Sequence, residues 1–255
     1  MITVSNAKPY LDKDIIMQKN NVIECIEQKK IAHGVNFIFP STTLVELSGR
    51  SGFDFVTFDS EHGPFTIDML DDLCRVADMS GLTPLARVPD ISDSTILRFL
   101  DRGIMGITGP HITDGKRAEQ LANACRYAPL GSRSFGSGRG AFFGGPPSGQ
   151  KYMDNFNKNV IVIAQLEDIH VLDNIEDILS VDGIDFFASG AQDIAQSMGL
   201  AGQPNHPEVK KFEREIVDIV HKAGRKMAED VMHSTRAVNM FLESSRKYLD
   251  SHKVH

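Results

Sequence analysis

Glu167 and Asp193 are the residues of this chain whose types and spacing point most directly to chemistry. Each stands just past a short apolar run, residues 160–166 and 184–188, and both runs read as strands buried on two faces. In a parallel α/β protein the C-terminal edge of the sheet is where ligands bind. Two carboxylates converging there, with no cysteine and no basic residue close by to pair them, suit a hard divalent cation held by oxygen ligands and water. The same two residues also fit a helix N-cap and a solvated strand end, and spacing alone does not choose between these readings.

The elements that must position them follow an alternating rhythm. After a polar stretch over residues 1–20, read as an arm, residues 21–30 form a short amphipathic helix. From His33 onward GVNFIF, FDFVTFD, TPLARVP and IMGITGP read as strands. Each is followed by a helix, opened by a Ser, Thr or Asp cap or closed by a glycine such as Gly52 or Gly81. A run rich in Gly and Pro over 129–150, carrying Arg133, Arg139, Phe142 and Phe143, reads as a long binding loop, lid or interface segment. GSGRGA within it has no lysine and follows no strand, so it is no phosphate loop. Beyond the Glu167–Asp193 region come a helix with Pro207 in its first turn, a seventh strand in RKMAED and a seventh helix in HSTRAVNMFLESS. RKYLDSHKVH supplies at best an eighth strand. The pattern predicts one (β/α)8 TIM barrel over 21–255, with a short N-terminal helix and an eighth helix missing or truncated.

Composition narrows the function classes. The 255 residues, 41% of them apolar, are enough for one large core. A net charge of −7 with no basic block argues against a nucleic-acid partner. Cys25, Cys74 and Cys125 are odd in number and far apart, and read as reduced core thiols of a cytoplasmic protein. No apolar run reaches the length of a bilayer, and no membrane association is expected.

The predicted strand ends collect a coherent set of side chains: Asp59, Glu61 and His62 after the second strand, Arg87 after the third, Thr108 and His111 at the fourth, Gln165 and Glu167 at the fifth, and Ser189, Gln192 and Asp193 at the sixth. This is an acid-rich mouth with one arginine. His62 has the side-chain chemistry of a proton shuttle near neutral pH, though a histidine at a strand end is often only a structural hydrogen bonder. His111 is a weaker candidate.

The segments FDFVTFDSEHGPF, ARVP, FLDRG, CRYAPLGSRSFG, AQLED and GIDFFASGAQDIAQSMGLAGQPNHPEV, in this order, resemble the HpcH/HpaI family of class II, pyruvate-dependent aldolases. The resemblance implies a (β/α)8 barrel. It also implies reversible cleavage of a 2-oxo-4-hydroxy acid, such as a 2-oxo-3-deoxy sugar acid or a dioic acid, to pyruvate and an aldehyde through a metal-stabilised enolate. By the same resemblance Glu167 and Asp193 are the metal ligands, for Mg²⁺ or Mn²⁺ first, with Co²⁺ and Zn²⁺ as further candidates. His62 is the acid/base group acting through water, with Asp101 as its orienting partner. Arg87 binds the pyruvate oxygens, Gln165 supports the site, and the turn at Gln192 and Asp193 receives the pyruvate carboxylate. A homo-oligomer, trimer or hexamer, is implied as well. The chain departs from the family pattern at Gly190-Ala191-Gln192-Asp193, where Gly-Pro-Ala-Asp is usual, and at His111, where an apolar residue is usual. Two alternatives remain: a related lyase acting on a CoA thioester, against which stands the lack of a basic stripe, and an inactive barrel serving as a binding or assembly module.

Overall fold

The computed structural model of the chain describes residues 19–144 and 149–252, so the N-terminal arm falls almost wholly outside the described residues. Seven parallel strands form one sheet: β1 (Ala32–Phe37), β2 (Phe55–Asp59), β3 (Thr83–Arg87), β4 (Gly106–Gly109), β5 (Ile161–Leu166), β6 (Phe186–Ser189) and β7 (Met232–Arg236). Their order is β6-β5-β4-β3-β2-β1-β7. The two outer strands are linked by one parallel bridge, Phe187 with Met227, and by a single 3-10 turn at Ala228–Asp230. Residues from all seven strands line one cavity, so the sheet curls round on itself.

Side-chain alternation divides this curl into two cores. Outward residues such as Val56, Phe58, Ala86 and Val162 pack under the helices. Inward residues run from an apolar floor of Phe55, Leu85, Ile163 and Met232 up to a polar mouth carrying Asp59, Arg87 and Gln165. Helix α1 (Asn21–Glu27) closes the floor, with Val22 fully buried. The buried Asn20 fixes this plug: its side chain caps the helix at Val22 N and its amide donates to the Met105 and Asn159 carbonyls at 3.1 and 2.9 Å.

Helices α2 (Thr42–Arg50), α3 (Ile67–Met79), α4 (Asp93–Asp101) and α5 (Gly115–Cys125) follow the first four strands, each capped by the side chain expected: Ser41, Thr66, Ser92 and Asp114. Helix α6 (Gly149–Asn159) leads into β5, α7 (Ile175–Ser180) lies between β5 and β6, and α8 (Ala191–Ser197) and α9 (Pro207–Lys222) come after β6.

The C-terminal part differs from expectation. RKMAED supplies only the bridge at Met227 and the following 3-10 turn, while β7 is built from MHSTR, which was expected to open a helix. The edge of β1 decides this, because without a partner its backbone amides and carbonyls would be left unpaired. β7 pairs with β1 from Ala32–Met232 to Asn36–Arg236. The chain then forms α10 (Ala237–Ser251), so RKYLDS is helical rather than a strand and the last strand is followed by a helix after all. Its Leu, Met, Glu, Lys and Arg content favours that outcome.

Candidate active site

Arg87 is the centre of the mouth. It ends β3 beside Asp59, with which it is in register, and receives that carboxylate in a two-pronged contact: Nε to Oδ1 at 3.0 Å and Nη2 to Oδ2 at 2.5 Å. Its Nη1 lies 3.2 Å from Glu61 Oε2. A guanidinium has five N–H donors, so Nη1 and Nη2 each keep a second one for a ligand. Burial disfavours the Asp59 carboxylate, but the hydrogen bonds and charge of Arg87 outweigh it and hold the group below the usual carboxylate range. The Arg87 pKa is raised in turn, because Asp59, Glu61 and Glu167 more than offset the cost of burying the cation.

Glu167 is buried, 2% exposed, past the end of β5. Its Oε2 accepts from Gln165 Nε2 at 2.5 Å, and its Oε1 accepts from the backbone N–H of His111 at 2.8 Å. Burial pushes its pKa up. The contacts of His111 oppose this, and the charges of Asp193 and Glu61 add to it. Gly190 leaves the space on the other side: a Cβ there would stand 2.6 Å from Glu167 Oε2. Asp193 and Gln192 lie in the first turn of α8, whose N-cap Gly190 offers no side chain to the first amides.

His111 joins the acids into one cluster. Its Nδ1 is 3.1 Å from Glu167 Oε1 and its Nε2 is 3.1 Å from Glu61 Oε1. Sequence reasoning ranked it below His62, because the contacts depend on a left-handed backbone at φ 54° that spacing does not reveal. His62 stands at the rim with its side chain 62% exposed and its Nε2 3.8 Å from Glu61 Oε2.

Asp101 is not beside His62. A helix after a strand in this fold runs back toward the start of the sheet, so the last residue of α4 lies at the rim opposite Arg87, where Asp101 pairs with Arg133 at 2.9 Å. The Gly/Pro-rich loop is on the same far rim: Arg139 pairs with Asp78 at the end of α3, and Gly138 and Gly140 pack against the Asp101 and Leu100 carbonyls. The described part of the loop therefore covers the floor and not the mouth of its own chain.

The mouth opens on a cavity of about 470 Å³, lined among others by Thr57, Thr108, Ser189 and Ser234. Asn36 and Arg236, neighbours in register across β1 and β7, line it too. The Asn36 Oδ1 is buried without a hydrogen-bond partner among the described residues. Arg236 escaped sequence reasoning because β7 was read as a helix, and Asn36 because a lone amide in an apolar strand does not reveal the cavity it faces. The only signal available was an arginine at the end of a polar, alternating run.

Among the described residues no three of His, Cys, Asp and Glu are set to hold a metal ion by themselves. The donor set does fit a hard divalent cation bound by two carboxylates, Glu167 and Asp193, with water and substrate oxygens completing its shell. Gly190 supports that fit by letting the start of α8, which carries Asp193, close directly on the Glu167 carboxylate, where a Cβ would collide with Oε2.

Residues 39–251 match the model of the HpcH/HpaI aldolase/citrate lyase family. Over 207 residues the chain is 31% identical to the 4-hydroxy-2-oxovalerate aldolase of Novosphingobium aromaticivorans, covering 81% of this chain and 78% of that one. It is 30% identical to the 5-keto-4-deoxy-D-glucarate aldolase of Enterobacter sp. strain 638, over 81% and 80% of the two chains. Among solved structures, an HpcH/HpaI aldolase from Desulfitobacterium hafniense DCB-2 shares the fold at a TM-score of 0.81 and 21% identity, over 90% of this chain and 95% of that one.

Proposed function

The chain belongs to the HpcH/HpaI aldolase/citrate lyase family and is a carbon–carbon lyase of the aldolase type, and from that premise we propose that it cleaves a 2-oxo-4-hydroxy acid to pyruvate and an aldehyde at the mouth formed by Arg87, Glu167 and Asp193. The observation that carries this reading is a partly open guanidinium, Arg87, lining the cavity together with Gln165, which holds the buried Glu167 carboxylate beside it. The curled seven-stranded sheet is the frame of a (β/α)8 barrel in this proposal.

Arg87 orients the oxo acid by offering its two remaining N–H groups to the 2-oxo or carboxylate oxygens, while Asp59 and Glu61 hold the guanidinium plane fixed. The uncapped start of α8 at Gln192 and Asp193 receives the carboxylate. A ring nitrogen of His62, through water, takes the proton of the 4-hydroxyl. The C3–C4 bond then breaks, the C4 oxygen becomes the aldehyde carbonyl, and the electron pair passes into the enolate of pyruvate. Its negative charge develops opposite Arg87. Protonation at C3 by the same acid completes the turnover. Glu167 and Asp193 are the residues that would hold a divalent cation, Mg²⁺ or Mn²⁺ in this proposal, with Gln165 fixing the Glu167 carboxylate from behind. When bound, such an ion supplies Lewis-acid stabilisation of negative charge on oxygen.

Asp101 belongs to this scheme only through a second copy of the chain, since its own rim faces away from His62. That is one support for a homo-oligomer. A second is the apolar surface of α10, where Phe241, Tyr248 and Leu249 are all exposed. No helix among the described residues is long and apolar enough to cross a membrane, and we place the enzyme in the cytoplasm on its free cysteines. The test is pyruvate release from 4-hydroxy-2-oxo acids, assayed with Mn²⁺ and again with excess chelator. Release that stops with chelator and returns with metal is the expected result. A folded protein that turns over no such acid with any divalent ion ends the proposal.

A further inference from the structure

We propose that His111 is a stand-in for the cation: its ring bridges Glu61 and Glu167 and must give up Glu167 Oε1 before a divalent ion takes that place, so His111 sets how tightly the ion is held. The inference rests on the reading of Glu167 as a metal ligand and adds a residue which that reading does not use.

The geometry separates what is fixed from what can leave. The His111 backbone is pinned on three sides. Its N–H donates to Glu167 Oε1 at 2.8 Å, its carbonyl accepts from Arg117 Nε at 2.7 Å, and the next amide, Ile112, donates to the Gln165 carbonyl at 3.0 Å. These bonds hold a left-handed conformation, φ 54°, that a histidine rarely adopts. The ring is different. It is 55% exposed and makes its two 3.1 Å contacts only with the carboxylates, so one side-chain rotation moves it into solvent. Oε1 accepts from the backbone N–H and lies 3.1 Å from the ring Nδ1, and a carboxylate oxygen has a second lone pair to offer. Departure of the ring frees the second without disturbing the first. Glu61 keeps Arg87 as its partner through Oε2, and Glu167 keeps Gln165.

The physical reason for such a device is the surplus of acid. The charges of Asp193 and Glu61 both push the Glu167 pKa up. A polar ring between two of them compensates the cluster whenever the ion is away.

The test uses the full chain and Mn²⁺ as the probe, titrated by the loss of the free-ion electron paramagnetic resonance signal. Asn at position 111 tolerates the left-handed backbone and is too short to bridge the acids. His111→Asn is therefore expected to bind Mn²⁺ up to about fivefold more tightly than the wild type, the scale of one partly exposed ion-pair contact. Its metal-free melting temperature falls. Glu167→Gln serves as the control and loses binding. An unchanged or weaker constant in His111→Asn, with the wild type binding normally, overturns the inference alone. A folded wild type that binds no Mn²⁺ overturns the metal reading and the inference with it. A second readout needs no variant: electron spin echo spectra of the wild type loaded with Mn²⁺ should show no coupling to a histidine nitrogen, and such a coupling would make the ring a ligand and the proposal wrong.

Discussion

Glu167 and Asp185 are acids at opposite rims of the same sheet, each raised in pKa by burial, and their neighbours make them different. Asp185, just before β6, is ion-paired with Arg126 and also favoured by the charge of Arg225. Its Oδ2 accepts from Arg126 Nη2 at 2.7 Å and from the Val162 amide at 2.7 Å, while Arg126 also donates to the Gly183 and Asn157 carbonyls. That network ties the start of β6 to the end of α5. Glu167 shares its rim with Asp59, Glu61 and Asp193, and Asp59 and Glu61 already share Arg87. A buried acid whose surroundings balance its charge is structural. One crowded by other acids, with no arginine or lysine at ion-pair distance among the described residues, is the feature on which the proposed cation role rests.

Paired substitutions break or sharpen this contrast. Glu167→Gln should lower pyruvate release by at least about a hundredfold, since even partners of metal ligands typically cost about 10–100-fold. The same change should hold or raise the melting temperature, because the amide removes a carboxylate that is costly to bury. A destabilised but active variant would erase the distinction between the rims. His62→Ala should cost on the order of a hundredfold in kcat and leave Mn²⁺ affinity as it was, which calorimetric titration reads directly. Asp185→Asn should do the reverse, destabilising the protein by about 2 kcal/mol in urea unfolding while kcat and KM stay near wild type. Removing one partner of a fully buried pair costs about 3–5 kcal/mol, and the Asp185 side chain is 34% exposed. The smallest effect concerns Asp59. Its folded pKa is depressed, so its contribution to stability is in full above the ordinary carboxylate value and is lost as pH falls through the folded pKa. Asp59→Asn should therefore flatten the acid limb of the melting curve below about pH 4. An unaltered limb would show that Arg87 does not hold this carboxylate.

How much of this was legible in the chain depended on the range of the cause. The first four strand–helix pairs follow from local rules, apolar runs closed by Ser, Thr or Asp caps and glycine stops, and they form where those rules put them. So does the meeting of Arg87, Gln165 and Glu167 at one edge, because a parallel sheet puts every strand end there. What escaped was set by partners distant in sequence. MHSTR is a strand because β1 needs a neighbour, and no local feature announces that need. Asp101 was assigned to His62 by the family resemblance, which does not say whether both come from one chain, and one helix length carries it to the other side of the domain. His111 was undervalued because its place depends on a single backbone dihedral and on Glu167, a residue that folds in from β5.

The join between β6 and β7 has a consequence of its own. Six neighbouring strand pairs are stitched by ladders, but the remaining gap is spanned by the Phe187 amide bonded to the Lys226 carbonyl at 3.1 Å, with Arg225 resting on the Phe187 ring. A cylinder with one thin stave breathes along that line first. Ser189, Glu229 and Ser234 stand on either side of it and border the cavity, so its width can vary there while Arg87, on β3 across the cavity, keeps its place. The molecule thereby has one side of the cavity that can give while the Arg87–Asp59 pair on the other keeps its form.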